Sequence, residues 1–273
     1  MAKTIFITGA SRGFGKLWAE AFLKRGDNVA ATSRNVSGLQ DLADTYGAAF
    51  LPLALDITDR AQCLAAVQQA HQQFGSLDVV INNAGYGLFG AVEELEERAV
   101  HDILGANLLG TLWVTQAALP LMRAQGRGHL IQLSSILGIT SAAGTGIYSA
   151  TKFAVEGLSE ALYHEVKGFG IYVTLVEPNT FKTDFGGTSA VHSPTIGAYD
   201  QAKASLFALP NFHPDNYGEP AATVPAILQL VDAPNPPLRL FMGKAAYPWA
   251  REVYAERLAS WAEWQPVAER AHG

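Results

Sequence analysis

Tyr148 and Lys152 stand four residues apart in the run Ile147-Tyr148-Ser149-Ala150-Thr151-Lys152. On a helix that spacing places both side chains on one face. A phenol has a pKa of about 10 in isolation, and a neighbouring ammonium favours its ionised form. Such a pair can give a proton to a carbonyl oxygen or take one from an alcohol, if other groups position the reacting atoms. Ser135, thirteen residues before the tyrosine, is one group that could do so.

A second constellation lies near the N-terminus. The first strand-like run, 3–8, leads into the turn Thr8-Gly9-Ala10-Ser11-Arg12-Gly13-Phe14-Gly15, followed by a helical pattern. A glycine turn between strand and helix is an anion site, because free N–H groups and the helix dipole face the same point. Gly9, Gly13 and Gly15 suit the tight turn and the close approach of a pyrophosphate, although the spacing is G-x-x-x-G-x-G. At the end of the second apolar run, Ser33 stands where NAD-binding domains place an acidic residue, and Arg34 follows. Arg34 and Arg12 with no carboxylate predict a 2′-phosphate, hence NADP(H) preferred over NAD(H).

The elements that must position these groups alternate. Strand-like runs fall at 3–8, 28–33, 49–55, 77–82, 129–134, 171–176 and 238–242, with helical patterns at 14–25, 37–46, 59–74, 98–124, 148–168 and 221–232. Most strand candidates are apolar at consecutive positions, as in sheets covered on both faces. This predicts an α/β fold, a doubly wound Rossmann-type parallel sheet of about seven strands. The expected organisation is one catalytic domain over 1–243 with a helical extension at 244–273. Residues 178–220 break the alternation with Gly, Pro and aromatics, and such a long excursion is usually functional.

Composition narrows the function classes. The 273 residues are 49% hydrophobic and carry a net charge of −6, which argues against a nucleic-acid or anionic-membrane partner. No apolar run reaches the roughly 18 residues of a membrane span, and no signal-peptide pattern opens the chain. The single cysteine, Cys63, excludes an internal disulfide and reads as a small buried hydrophobe; a cytoplasmic setting is expected. No cluster has metal-ligand spacing. His101 and His129 read as structural or exposed, and Glu93-Glu94-Leu95-Glu96-Glu97 as a solvated helix start.

Taken in order, TGASRGFG at 8–15, Asp56 in LDIT, NNAG at 82–85, Asn107 in NLLG, LSS at 133–135, YSATK at 148–152 and EPNTFKT at 177–183 resemble a short-chain dehydrogenase/reductase over about residues 3–243. The stretches GYGLFGAVEEL and KFAVEGLSEAL are similar to steroid- and retinol-dehydrogenase-like members. The resemblance implies Tyr148 as general acid/base, Lys152 as its partner, Ser135 (not its neighbour Ser134) on the substrate oxygen, and Asn107 in a proton relay through water. It implies cofactor contacts from Gly9, Ser11, Arg12, Gly13, Phe14, Gly15, Arg34, Asp56, Ile57, Asn83, Ala84, Gly85, Tyr148, Lys152, Pro178, Thr180, Phe181 and Thr183. One departure stands out: Asn179 follows Pro178 where the family has glycine, and the turn there is expected to draw on asparagine's tolerance of positive φ.

The expected activity is NADP(H)-dependent interconversion of a hydrophobic ketone or aldehyde and its alcohol. The pocket would draw on 138–146, 180–185 and 186–217, with His192 and Tyr199 as candidates to reach it. A non-catalytic NADP(H)-binding sensor on the same scaffold, or a dehydratase or epimerase, are the alternatives. The resemblance also implies a homodimer or homotetramer paired through the helices near 98–124 and 148–168.

Overall fold

The computed structural model describes residues 2–187, 189–209 and 212–273. Thr188, Pro210 and Asn211, within the expected excursion, and Met1 lie outside the described residues. Strands β1 (Thr4–Ile7), β2 (Asn28–Ser33), β3 (Phe50–Ala54) and β4 (Val79–Asn82) fall inside the expected runs. A two-residue strand, β5 (Leu88–Phe89), comes next, then β6 (Gly128–Leu133), β7 (Ile171–Pro178), a second two-residue strand β8 (Val191–His192), and β9 (Arg239–Met242). Seven of these form one parallel sheet in the order β3-β2-β1-β4-β6-β7-β9. The sheet is the expected doubly wound fold in a single domain with a C-terminal helix.

The helices between the strands are α1 (Gly13–Arg25), α2 (Gln40–Tyr46), α3 (Arg60–Phe74), α4 (Glu97–Leu104), α5 (Gly110–Gln125), α6 (Gly146–Val166), α7 (Asp200–Ala204), α8 (Thr223–Asp232) and α9 (Ala246–Arg270). Trp18 and Phe22 of α1 and Ile227 of α8 cover one sheet face with Ile5, Ile7 and Ile81. Val67 of α3, Val114 and Met122 of α5 and Leu162 of α6 cover the other with Phe6, Val80 and Leu130. Burial on both faces explains why the strands are apolar at consecutive positions.

Strand order reverses between β2-β1 and β4, and crevices for ligands open at such a point, beyond the C-terminal strand ends. Helices α4 and α5 are joined by a π-helical turn, Gly105–Leu109, so the expected helix over 98–124 is continuous but widened at Asn107. Helix α9 leaves Tyr254, Leu258, Trp261 and Trp264 exposed. Among the described residues no helix is long and apolar enough to cross a membrane.

Candidate active site

One cavity of about 1500 Å³ runs along the C-terminal ends of the strands. It is lined by both constellations, with Gly9, Arg12, Gly13 and Arg34 at one end and Ser135, Tyr148 and Lys152 at the other. The volume exceeds that of a typical small-molecule pocket, as a site for a dinucleotide plus a second molecule requires.

At the glycine end the backbone needs both positive φ and space. Gly9 has φ +68°, and a Cβ there would lie 2.8 Å from Ala84 Cα. A Cβ on Gly15 would lie 2.6 Å from Asn83 Nδ2 and from the Gly9 carbonyl. The β4 loop is tied to the turn by Asn83 N–H and Ala84 N–H, which donate to Thr8 Oγ1, and by Asn83 Nδ2, which donates to Thr8 and Gly9 carbonyls. Arg12 caps α1 with no side-chain hydrogen bond, leaving first-turn N–H groups for an anion. Ser11, Arg12, Phe14, Arg34, Asp56, Ile57, Gly85, Pro178, Thr180, Phe181 and Thr183 all line this cavity. Gly15 does not line it; its part is to let the turn pack on Asn83. Arg12 and Arg34 are exposed, and neither has an ion-pair partner among the described residues. A dinucleotide with a negatively charged ribose end fits this donor set.

At the other end Tyr148 and Lys152 share one face of α6 and are both buried. Lys152 Nζ sits 5.8 Å from the centre of the Tyr148 ring and donates to the Leu133 carbonyl at 2.7 Å. Ser135 Oγ accepts the Leu137 N–H at 3.1 Å, so its own proton is left to donate to the Tyr148 hydroxyl. Ser134, the neighbour, has its hydroxyl buried without a hydrogen-bond partner, next to Glu156. The serine spacing therefore selects the residue that reaches Tyr148.

The expectation that Lys152 draws the phenol toward neutrality is not met in the free protein. Burial pushes the Tyr148 pKa upward, opposed by the Ser135 hydroxyl, while burial pulls Lys152 down to about 8. Desolvation disfavours the charged form of each group and is the main cause of each shift. Asn107, on the π-helical turn, does not line the cavity, and its side chain is engaged by the Tyr86 backbone and Thr151. Its Oδ1 accepts Tyr86 N–H at 3.0 Å, and its Nδ2 donates to the Tyr86 carbonyl and to Thr151 Oγ1. The side chain is thus a brace between the β4 loop and α6.

The excursion closes over Tyr148. Strands β5 and β8 pair in parallel, Leu88 with Val191 and Phe89 with His192. The Phe185 ring meets the Tyr148 ring edge-on at 5.4 Å, Phe89 lies at 6.2 Å from it, and His192 tilts against Phe89 at 5.7 Å. His192 lines the cavity as anticipated, whereas Tyr199 does not: its hydroxyl donates to Glu93. Two-residue strands are too short for any periodicity to reveal, which is why sequence reading missed this ladder.

Two further expectations change. Glu94 is not solvated: Oε1 accepts the Ile196 N–H and the Lys203 ammonium at 2.6 Å each, and Oε2 accepts Ala91 N–H. Those bonds, the Ile196 amide first, hold its pKa down at about 2 and clasp the excursion to the body. Asn179 does not use positive φ, since every positive-φ residue described is glycine. Its amide donates to the Met242 carbonyl, and its side chain occupies the space that Gly243 leaves. Phe14 and Phe181 meet each other edge-on at 5.2 Å, so part of their surface supports the cavity wall. Cys63 and His129 are buried and structural; His101 is exposed beside Glu97.

Comparisons with known proteins agree with this fold. The short chain dehydrogenase family model matches residues 3–192. The 3-ketodihydrosphingosine reductase of Bacteroides thetaiotaomicron is 38% identical over 241 residues, covering 88% of this chain and 87% of its own. The crystal structure of a short-chain dehydrogenase from Streptomyces avermitilis superposes with a TM-score of 0.91 at 37% identity, covering 98% and 97% of the two chains. An alcohol dehydrogenase from Thermococcus sibiricus, solved with 5-hydroxy-NADP, gives a TM-score of 0.74 at 25% identity, covering 90% and 98%. With the family match spanning most of the fold and the full-length superposition, this chain belongs to the short-chain dehydrogenases and is an oxidoreductase of that family.

Proposed function

We propose that the protein reduces a hydrophobic ketone or aldehyde with NADPH, or oxidises the corresponding alcohol with NADP+. The observation that carries this reading is the convergence of Ser135, Tyr148 and Lys152 in the same cavity as the glycine cradle and the two arginines. The bound dinucleotide would supply or accept the hydride. Gly9, Gly13 and the α1 N-terminus would hold its pyrophosphate, Arg12 and Arg34 its 2′-phosphate, and Asp56 with Ile57 its adenine end.

At the reacting carbonyl the protein moves a proton. Ser135 donates a hydrogen bond to the oxygen as negative charge develops there. Tyr148 gives the oxygen its phenolic proton, and Lys152 stabilises the phenolate left behind. Burial keeps Tyr148 protonated in the free protein, so the acid form is the resting form. Asn107 holds the Tyr86 segment against Thr151 and so fixes the floor on which Tyr148 is mounted. The Phe89, Phe185 and His192 rings leave an apolar space next to the phenol, suited to a hydrophobic chain or ring beside the carbonyl. The ketone named in the Bacteroides relative supports the same substrate class.

The experiment is NADPH oxidation with a panel of hydrophobic aldehydes and ketones, followed by the reduced-nicotinamide absorbance. Turnover by the wild type and its loss in Tyr148→Phe, with NADPH affinity kept, is the expected result. Tight NADPH binding without turnover of any carbonyl would transfer the protein to the sensor class.

A further inference from the structure

Helix α6 carries a ladder at four-residue spacing: Tyr148, Lys152, Glu156 and Glu160. The first two face the cavity. Glu156, one turn behind Lys152, points into the interior and is 5% exposed. There it meets Glu177 of β7, which is fully buried. A Cβ built on Gly138 would lie 2.6 Å from Ser134 Oγ, 3.1 Å from Glu156 Cγ and 3.3 Å from the Lys152 carbonyl carbon. The glycine therefore gives the carboxylate a berth directly behind the site.

Two carboxylates meet here with one cation near enough for both. Arg239 of β9 bonds Glu156 Oε2 at 3.0 Å and Glu160 Oε2 at 2.8 Å, and stands 3.4 Å from Glu177 Oε1. Glu156 Oε1 and both Glu177 oxygens are buried without a hydrogen-bond donor. Two like charges cannot both be kept in such a place, and a single proton shared between them pairs one orphaned oxygen of each carboxyl. Burial and mutual repulsion push the Glu177 acid up, and burial pushes Glu156 up. The pair then retains one negative charge, and Arg239 is divided between it and the exposed Glu160.

We propose that Glu156 and Glu177 share one proton and that their remaining charge, one helical turn behind Lys152, keeps the Lys152 ammonium charged at the pH of catalysis. The proposal rests on the reading of Lys152 as partner of Tyr148. Lys152 is otherwise surrounded by groups that cannot do this: the Leu133 carbonyl is neutral and Tyr148 is a protonated phenol. The charged groups around the pair are Lys152, Glu156 and Glu160 on α6, Glu177 on β7 and Arg239 on β9; Ser134, after β6, supplies an uncharged hydroxyl. Glu156 and Glu177 are positioning residues, acting through Lys152.

The test titrates Lys152 directly. In protein labelled with 15N-lysine, the side-chain amine signal that disappears in Lys152→Arg reports the Lys152 midpoint without any turnover. In Glu156→Gln/Glu177→Gln the midpoint should fall by roughly one pH unit. In Glu156→Gln it should fall less, because Glu177 ionises in compensation; in Glu177→Gln, where Glu156 carries the whole charge, it should not fall. Difference infrared should show a protonated-carboxyl band in the wild type that is lost in each single variant. An unchanged midpoint in the double variant, or in Glu156→Gln if the double variant does not fold, would overturn the proposal. So would absence of the infrared band. The alkaline limb of NADPH-driven reduction of 4-nitrobenzaldehyde should move down in parallel. If no carbonyl is turned over while the Lys152 midpoint shifts as stated, the functional reading fails and the charge coupling stands.

Discussion

Lys152 is anchored by its own ammonium to the carbonyl of Leu133, 2.7 Å away, at the end of β6. The bond fixes the amine beside the Tyr148 ring and links the α6 face to the end of the strand that leads into Ser135. Replacing Lys152 by Met removes the charge and leaves the Leu133 carbonyl to solvent or to the cofactor. Carbonyl reduction should fall by about 10² or more in kcat. The alcohol-oxidation profile carries the sign. Oxidation needs the Tyr148 phenolate, burial already raises that pKa, and loss of the ammonium raises it further. The rise of rate with pH should therefore shift to higher pH in Lys152→Met. A limb at the wild-type pH would remove Lys152 from the proton chemistry.

Cofactor choice is tested at Arg12 and Arg34, which face the cavity with no carboxylate paired to them among the described residues. Changing both to Ala should weaken NADPH binding by about two to four powers of ten, given about 1.5–3 kcal/mol for each charged hydrogen bond. NADH binding, which lacks the 2′-phosphate, should change by less than about threefold. Isothermal titration with both cofactors decides it, and equal losses would sink the preference.

The sheet was legible because seven strands buried on both faces leave unmistakable apolar runs, and the glycine turn because only glycine fits Gly9 against Ala84. Tyr148 and Lys152 were legible because their four-residue spacing is local, and Ser135 through the family resemblance. What escaped sequence reading depends on partners far along the chain. Glu94 looks solvated in its acidic run, yet its partners are Ile196 and Lys203, about a hundred residues away. Glu156 reads as one more helical carboxylate, and only the β7 and β9 neighbours reveal its burial. The phenol's pKa was misjudged for a related reason: proximity to Lys152 is visible in sequence, whereas the desolvation that overrides it appears only once the excursion folds over the site.

Asn179 and Gly243 form a pair that sequence resemblance treats as a departure and the structure treats as a fit. Gly243 has φ +104°, and a Cβ there would stand 1.4 Å from Asn179 Oδ1. Gly243→Ala should destabilise the protein by about 2–4 kcal/mol, combining backbone strain with a clash the buried amide cannot easily escape. Asn179→Gly in the same chain should return the part due to the clash and leave the part due to φ. Denaturant unfolding of the four-member cycle measures this. Additive losses would mean that the two positions do not meet.

His129 sets a pH limit on the fold away from the site. It is 6% exposed, and its ring Nε2 lies 2.9 Å from Thr174 Oγ1. That hydroxyl donates its own proton to the Pro237 carbonyl, so the ring must be the donor and is neutral with Nε2 protonated. Burial holds its pKa at about 4, below the ordinary 6.5. The unfolded chain then binds a proton that the folded chain refuses, so stability is intact above about pH 6.5 and declines as pH falls toward 4. The loss approaches roughly 3 kcal/mol across that window, at 1.36 kcal/mol per unit. His129→Gln can still donate to Thr174 and cannot take up a proton. The variant should be somewhat less stable at pH 7.5, and its stability should fall less between pH 7 and pH 5 than that of the wild type. Parallel pH dependences for the two proteins in urea unfolding would place the acid sensitivity elsewhere.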